Sequence, residues 1–414
     1  MKITIQGNEY FKRVDWLTQI YILLYVTIMF SGSTFLHNFE SSLVLLFCGL
    51  LFVICFVKGV IHRVSYNTWC RTPFFLLILF DLFLLFQMTM SYVPGITWVY
   101  VKRYLLFSAF LLLLPEVNMA YCCIKFSKYY SFLVSISIIV MTLVRGEKTG
   151  GLVGDYQYAG MLMSIACILF LIDYFNNNNN VFDLIGIVFS VFALFMSGKR
   201  MFALIAGCSF FVIYSFSNYP GKRRRFWNCA VIGLIGIVVG YLAVPEIREL
   251  FNRIVSLSDN RTSMMSGRDV LWEKAVEIFK ENVWSGIGFG SFEKYFGNHY
   301  SISGISAFLT HNIYFGLLAE TGIVGTTLYL CFMVYTFLRT LRINTLVRRS
   351  KYKEIRYVYL CSLMMQIWFI VYGFTGNGIY DITESFIYFT AIANVLSIER
   401  KIEREFLDYD GGGS

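Results

Sequence analysis

Long apolar runs separated by short polar turns dominate the chain. A helix that crosses the hydrocarbon core of a bilayer needs about 20 mostly apolar residues, so each run predicts one membrane span. The 414 residues contain twelve such runs, at 16–36, 41–58, 73–93, 99–115, 128–144, 157–173, 181–198, 201–217, 227–244, 311–338, 357–375 and 385–398. Only the segment 245–310 between the ninth and tenth runs is long. The pattern therefore predicts an all-α polytopic membrane protein with one long loop.

The distribution of Lys and Arg predicts the orientation of these spans. Cytoplasmic loops carry an excess of basic residues. With a cytoplasmic N-terminus, 22 of the 35 Lys and Arg residues lie on the cytoplasmic side, and seven lie in the long loop. We therefore expect both termini in the cytoplasm and the long loop outside. The resulting units are spans one to nine (1–244), the extracytoplasmic loop (245–310), spans ten to twelve (311–398) and a cytoplasmic tail that ends in a linker-like Gly-Gly-Gly-Ser (399–414).

Composition supports the membrane class and narrows the expected partners. Hydrophobic residues make up 57% of the chain and charged residues 15%, whereas soluble domains average about 45–50% and about 25%. The net charge of +9 is explained mainly by cytoplasmic loops, so nucleic acid is not an expected partner. The ten cysteines show no metal-ligand spacing, and no metal site is predicted. The long first apolar run has no small-residue cleavage pattern, so we expect no cleavable signal peptide.

Six basic residues contradict the orientation rule, because they lie in or next to the short outer turns. They are Lys102, Arg103, Arg145, Lys148, Lys199 and Arg200. One interpretation is that their side chains reach lipid phosphates at the interface. The other is that they share an anionic ligand at the outer face, such as a pyrophosphate or a carboxylate. Only Glu147 and Asp155 oppose these charges in the same turns, which favours the shared ligand.

The middle of the long loop predicts an amphipathic helix. Ser266 and Asp269 resemble a capping box, and apolar residues then recur on one helical face until about Trp284. Such a helix is expected to lie on the bundle or on the membrane surface. The following glycine-rich stretch 286–290 matches neither a dinucleotide fingerprint nor a phosphate loop. It is therefore interpreted as a tight backbone turn.

Two ionisable residues mark the start of the tenth span. His311 lies at its outer end, where an interfacial anchor and a proton acceptor are both plausible interpretations. Glu320 lies nine residues further along, about 13 Å deeper in the span. A carboxylate at that depth needs a partner. Outer basic groups are the expected partners, and a structural ion pair and a direct role both stay open.

The order of several short motifs resembles the O-antigen ligase and polymerase family, whose polytopic members handle polyprenyl-linked glycans. The motifs are Gly267-Arg268 with Trp272, the Gly286/Gly288 turn, His311-Asn312-x-Tyr314, and Glu320-x-Gly322-x-x-Gly325. Upstream, Ser197-Gly198-Lys199-Arg200 and Gly154–Ala159 resemble two further family motifs. The resemblance extends over about residues 145–385. It departs from the family pattern at Lys199, where a small or polar residue is more common, and at 155–157, where Pro-Asn is common.

The resemblance implies an inverting glycosyltransferase with a GT-C-like helical bundle in the bacterial inner membrane. It implies a glycan donor on undecaprenyl pyrophosphate, no metal and no cofactor. His311 would be the catalytic base on the extracytoplasmic face. The pyrophosphate would be bound by basic residues, namely Arg200, Arg268, Lys199, Arg145 and Arg103, with support from Asn312, Tyr314 and Glu320.

Four functions remain to be weighed. The leading hypothesis is a polymerase of O-antigen, capsule or exopolysaccharide that extends lipid-linked repeat units, with a chain-length regulator and a flippase as expected partners. A ligase would transfer the glycan to lipid A–core instead, and nothing in the sequence reports acceptor choice. A protein oligosaccharyltransferase is a smaller possibility. A lipid-glycan transporter would need charges along the bundle interior, whereas the basic residues here concentrate at the outer face.

Overall fold

Helices make up the structure, and no strand occurs among the described residues. The computed structural model describes residues 16–29, 41–61, 71–112, 114–145, 149–176, 181–217, 221–243, 268–300, 309–350 and 352–411. Its helices are α1 (Trp16–Met29), α2 (Ser41–Ile61), α3 (Arg71–Met88), α4 (Pro94–Leu112), α5 (Val117–Arg145), α6 (Tyr156–Asn176), α7 (Val181–Met196), α8 (Arg200–Phe216), α9 (Lys222–Ala243), α10 (Arg268–Glu281), α11 (Phe292–His299), α12 (Ile313–Arg342), α13 (Asn344–Arg349), α14 (Lys353–Tyr372) and α15 (Ile382–Gly411). The predicted all-α class is confirmed.

Each of the twelve predicted spans overlaps one helix. In chain order, these helices are α1 to α9, α12, α14 and α15. Within the described ranges, five stretches are long and apolar enough to cross a membrane: Pro94–Leu112, Val117–Arg145, Tyr158–Asn176, Ile313–Arg349 and Lys353–Tyr372. Shorter apolar stretches occur in α1, α2, α3, α7 and α8. The chain is thus a multi-pass membrane protein by helix length and composition, and the count of twelve spans stays a prediction.

Helix α6 occupies the centre of the bundle. It is apolar on every side, as expected for a helix surrounded by protein, and 94% of its span window is buried. It packs against α5, α7, α8 and α14. A hydrogen bond of 2.9 Å from Trp368 Nε1 to Ser164 Oγ fixes α14 to it. The helices around α6 are therefore held by both apolar packing and polar contacts.

Buried ion pairs lie at the helix ends that are predicted to face the cytoplasm. Lys128 on α5 contacts Asp173 on α6 at 2.5 Å and Asp183 on α7 at 2.6 Å, and Lys125 contacts Asp173 at 2.5 Å. Both aspartates are fully buried. Two further pairs are Lys58–Glu116 at 3.4 Å and Arg339–Glu399 at 2.9 Å. Because paired charges tolerate burial far better than single ones, these contacts tie the helix ends together.

Helices α10 and α11, from the predicted long loop, pack over the beginning of α12. Leu271, Ala275 and Ile278 form the buried face of α10, and they share one apolar cluster with Phe296 of α11 and Ala319 of α12. The amphipathic helix thus lies on the bundle. The predicted cap at Ser266 lies outside the described residues.

Candidate functional site

His311 lies in a rigid junction at the start of α12. Asn312 caps this helix, because its Oδ1 accepts hydrogen bonds from the backbone amides of Tyr314 (2.9 Å) and Phe315 (3.1 Å). The preceding carbonyl, that of Thr310, accepts a 2.8 Å hydrogen bond from the indole of Trp272 on α10. His311 itself has φ 48°, a left-handed conformation that only a well-fixed backbone imposes on a histidine. The imidazole is thereby held at a defined position.

Residues 373–381, which connect α14 to α15 and are called here the 373–381 turn, lie against this junction. Four hydrogen bonds join the turn to the junction and to α10: Ile313 N to Gly373 O (2.9 Å), Asn312 Nδ2 to Phe374 O (3.2 Å), Arg268 Nη1 to Thr375 O (3.3 Å), and Asn377 Nδ2 with His311 Nδ1 (3.2 Å). The bonds bring together residues at least 60 positions apart in sequence. His311 and Arg268 thus meet around one turn.

Two cations act on the His311 imidazole. Burial, followed by the positive charges of Arg268 and Lys199, lowers its pKa to about 4. Lys199 precedes α8, and its Nζ lies 4.6 Å from the ring centroid of Tyr156. Arg200 is the first residue of α8. The site therefore combines a neutral imidazole, which can accept a proton, with positive charge, which can bind an anionic group.

Glu320 is fully buried and holds two turns together. Its carboxylate accepts hydrogen bonds of 2.8 Å from the amides of Gly290 and Phe292 and from the hydroxyl of Tyr380. The expectation of basic partners is wrong, because backbone amides and a phenol satisfy both oxygens. Glu320 therefore links the 286–290 turn to the 373–381 turn.

The glycine turn at 286–290 runs along a break in α12. Gly322 has φ 59° and ψ −166° and interrupts the helical backbone. The amides of Ile287 and Gly288 donate to the carbonyls of Ala319 (3.1 Å) and Glu320 (2.9 Å). The side chain of Gln87 on α3 adds hydrogen bonds to the carbonyl of Glu320 and to the amide of Phe289. The interpretation of 286–290 as a turn agrees with this geometry.

Replacing Gly322 with alanine is expected to destabilise the protein. The backbone there costs about 1–3 kcal/mol for a residue with a side chain, and an added Cβ would lie 2.5 Å from the carbonyl of Trp284. Thermal unfolding in detergent measures the loss. Gly207→Ala on α8 is the matched control, since a Cβ there meets nothing within 4 Å. Equal stability of the two variants would contradict the assigned strain.

The remaining predicted site residues are more scattered. Arg103 lies ten residues into α4, about 14 Å along the helix from its start, because α4 begins at Pro94 rather than near residue 99. Its guanidinium is buried, donates to the carbonyl of Tyr380 at 2.6 Å and lies 4.9 Å from the ring of Tyr100. Arg145 ends α5 and is exposed. The side chain of Arg200 and all of Lys148 lie outside what the structure describes.

Tyr314 is positioned by α14, because its hydroxyl donates to the carbonyl of Ile370 at 2.8 Å. Two contributors were missed from the sequence, namely the 373–381 turn and Gln87. The turn carried one usable signal: it contains Thr375, Asn377 and Asp381 and is predicted on the same membrane side as His311. Gln87 carried none, because a single polar residue near a helix end does not indicate its partner.

These features define a multi-pass helical membrane protein with a polar site at one end of its bundle. Residues 185–330 match the family model described as O-antigen ligase, which confirms the resemblance to the O-antigen ligase and polymerase family. The match contains Lys199, Arg200, Arg268, His311 and Glu320 and ends before α14 and the 373–381 turn. No curated protein matches the chain.

Proposed function

We propose that the protein is a polysaccharide polymerase. It transfers a glycan from undecaprenyl pyrophosphate to the next lipid-linked repeat unit, building O-antigen, capsule or exopolysaccharide. The observation that carries this proposal is the half-buried imidazole of His311, which is hydrogen-bonded to the same 373–381 turn as Arg268, while the positive charges of Arg268 and Lys199 help to lower its pKa. The family match supports the glycan and lipid chemistry.

The proposed reaction is a single displacement at the anomeric carbon of the donor. The acceptor hydroxyl oxygen attacks C1 as the bond from C1 to the pyrophosphate oxygen breaks, which inverts the configuration. His311 takes the hydroxyl proton as general base. The bonding electrons leave with the pyrophosphate, whose negative charge Arg268, Lys199 and Arg200 stabilise. Because pyrophosphate is an activated leaving group, we infer that these cations suffice without a metal.

The low pKa of His311 fits this role once the ligand is considered. Without ligand, burial and the two cations hold the pKa at about 4. A pyrophosphate bound beside Arg268 and Lys199 offsets their charge, so the pKa rises toward the ordinary value near 6.5. The base is then best matched to neutral pH only when the donor is in place.

The Arg268→Gln variant is expected to shift the pH dependence of the reaction. Removing the guanidinium removes a charge that disfavours imidazolium, so the pKa of His311 rises from about 4. The acid limb of kcat/KM, which reports the free enzyme, therefore moves to higher pH while the rate falls. Initial rates measured from about pH 3 to pH 8, a range that includes the wild-type limb, give this profile. Lys274→Gln, on the same helix but paired with Glu277, should leave the limb in place. An unmoved limb in Arg268→Gln would contradict the coupling.

A ligase is the second candidate, because the matching family model is described as O-antigen ligase. Its donor, base and leaving group would be the same, and only the acceptor would be lipid A–core. Reconstitution in vesicles separates the two. With undecaprenyl-pyrophosphate repeat units alone, a polymerase produces a ladder of longer lipid-linked glycans. Transfer that appears only after lipid A–core is added identifies a ligase, and no transfer with either acceptor rejects the proposed function.

We also propose that the His311 end of the bundle faces away from the cytoplasm in the bacterial inner membrane, with both termini inside. The buried ion pairs at the other helix ends, among them Lys128–Asp183 and Arg339–Glu399, support this orientation through the preference of basic residues for the cytoplasmic side. A flippase that delivers the lipid-linked units and a chain-length regulator are the expected partners.

A further inference from the structure

The hydrogen bond between His311 and Asn377 leaves one polar atom unsatisfied. The Nδ2 of Asn377 lies 3.2 Å from Nδ1 of His311, whereas its Oδ1 is buried and has no hydrogen-bond partner. In this orientation the amide donates to Nδ1. The ring proton of a neutral imidazole then lies on Nε2, and Nε2 cannot accept a proton from an acceptor hydroxyl.

A half turn of the amide changes which ring nitrogen carries the proton. The oxygen and nitrogen of an asparagine amide have nearly the same shape, so their positions follow from the hydrogen-bond network. After the half turn, Oδ1 faces Nδ1 and accepts a hydrogen bond from Nδ1–H. The nitrogen then takes the buried position without a partner that the oxygen held, so the number of unsatisfied atoms is unchanged, and the ring proton moves to Nδ1. Nε2 becomes the nitrogen with a free lone pair.

We propose that Asn377 is a positioning residue that holds His311 in the Nδ1–H tautomer and leaves Nε2 as the base. The turn that carries Asn377 is anchored on both sides: the carbonyl of Gly373 accepts from the amide of Ile313 at 2.9 Å, and the carbonyl of Tyr380 accepts from Arg103 at 2.6 Å. The amide is thereby held at a fixed distance from the ring. The choice of amide orientation and its catalytic meaning both rest on the proposed function.

Nuclear magnetic resonance of histidine-labelled protein in detergent tests the tautomer without any activity. The chain contains four histidines, and the spectrum of His311→Asn assigns the His311 signal by its loss. We expect the ¹³C and ¹⁵N shifts of Nδ1–H imidazole in the wild type and a mixture of both tautomers in Asn377→Leu. Thr375→Val, in the same turn, is the control and should keep the wild-type signal. An Nε2–H signal in the wild type would overturn the proposal.

Kinetics of glycan transfer test the positioning role. Asn377→Leu should lower kcat about 10–100-fold with little change in KM, the range expected when a group that orients a functional histidine is lost. In Asn377→Asp a carboxylate accepts from Nδ1–H and raises the pKa of His311, so the acid limb moves to higher pH while much of kcat returns. Equal losses in both variants with an unmoved limb would mean a purely structural role. Wild-type protein that shows the tautomer but no transfer would reject the proposed function and leave the tautomer standing.

A separate observation points to a water site in the bundle interior. A cavity of about 30 Å³ lies among α1, α5, α6, α14 and α15. Four of its lining groups, Ser127 Oγ, Ser362 Oγ, Thr390 Oγ1 and Asn394 Oδ1, are buried and have no hydrogen-bond partner. Their side chains are at least nine-tenths buried. Three helices thus direct unsatisfied polar atoms into one space.

We infer that this cavity binds water. One water needs about 10–15 Å³ and two to four polar partners, so the space and the four groups suit about two molecules. None of the lining residues carries a charge, and the nearby Lys125, Lys128, Asp173 and Asp183 balance one another. A cation there would be uncompensated, which apolar surroundings strongly disfavour.

Hydroxyl-radical footprinting by X-ray radiolysis in detergent tests the inference, since the radicals form from water next to the modified side chain. Met365 and Cys361 line the cavity and are expected to be oxidised in the folded protein. Met163 and Cys167, which are also buried but do not line the cavity, are the internal controls. Asn394→Leu fills the space and should abolish the labelling of Met365. Equal protection of all four sulfur atoms in the wild type would overturn the site.

Discussion

Replacing His311 with asparagine is expected to lower the rate of glycan transfer about 10²–10⁴-fold, the usual contribution of a general base. Asparagine lacks a basic nitrogen, so the acceptor hydroxyl loses its proton acceptor. It also tolerates a left-handed backbone better than most residues, which suits the φ of 48° at this position. Initial rates with lipid-linked repeat units measure the effect.

His299→Asn is the matched control for this variant. His299 ends α11, is exposed and stacks on the ring of Tyr295. Both this contact and its position in the sequence are separate from the 373–381 turn. It should keep the wild-type rate. Both variants should unfold near the wild-type temperature, because neither removes a buried apolar contact. Full activity in His311→Asn would remove the base from the proposed mechanism and leave only the cations.

The Asp173→Asn variant is expected to lose about 3–5 kcal/mol of stability, the effect of breaking a buried ion pair by removing one partner. The carboxylate of Asp173 is fully buried and contacts Lys125 and Lys128 at 2.5 Å. Neutralising it leaves two ammonium groups, of which Lys128 keeps its contact with Asp183. Thermal unfolding in detergent, followed by intrinsic fluorescence, measures the loss.

A second substitution distinguishes charge imbalance from lost packing. Asp173→Asn combined with Lys128→Met restores neutrality and should recover part of the stability, since uncompensated charge is the larger cost. Glu277→Gln breaks the more exposed Lys274–Glu277 pair and should change little. If the double variant is less stable than Asp173→Asn alone, packing rather than charge balance governs this end of the bundle.

The hydropathy pattern was sufficient to predict the helices, but it did not predict how deep individual residues lie in the bundle. Each apolar run became a helix because a bilayer requires the backbone to satisfy its own hydrogen bonds. Arg103 shows the limit: α4 extends five residues beyond the run toward Pro94, and its first residues, Pro-Gly-Ile-Thr-Trp, carry little hydropathy signal. The arginine therefore lies inside the bundle rather than in a turn.

A site residue could be predicted where both its chemical group and its position next to a helix start indicated a functional role. His311 and Arg268 could be chosen because each is a charged or basic group next to a recognisable helix start. Glu320 was predicted as a site residue, but its partners were not. They are backbone amides 28 and 30 residues away, which give no recognisable signal in the sequence. Asn377 was missed for the same reason: its partner is 66 residues away. Long-range hydrogen bonds depend on how the helices pack.

The 373–381 turn also limits how the protein can be divided. The family match ends at residue 330, yet the carbonyls of Gly373, Phe374 and Thr375 receive hydrogen bonds from the start of α12 and from α10. A chimera in which only the matched region comes from a relative would combine the relative's His311 junction with this protein's own 373–381 turn. Such exchanges should carry α12 through α15 as one unit, because the junction and the turn form a single interlocked piece.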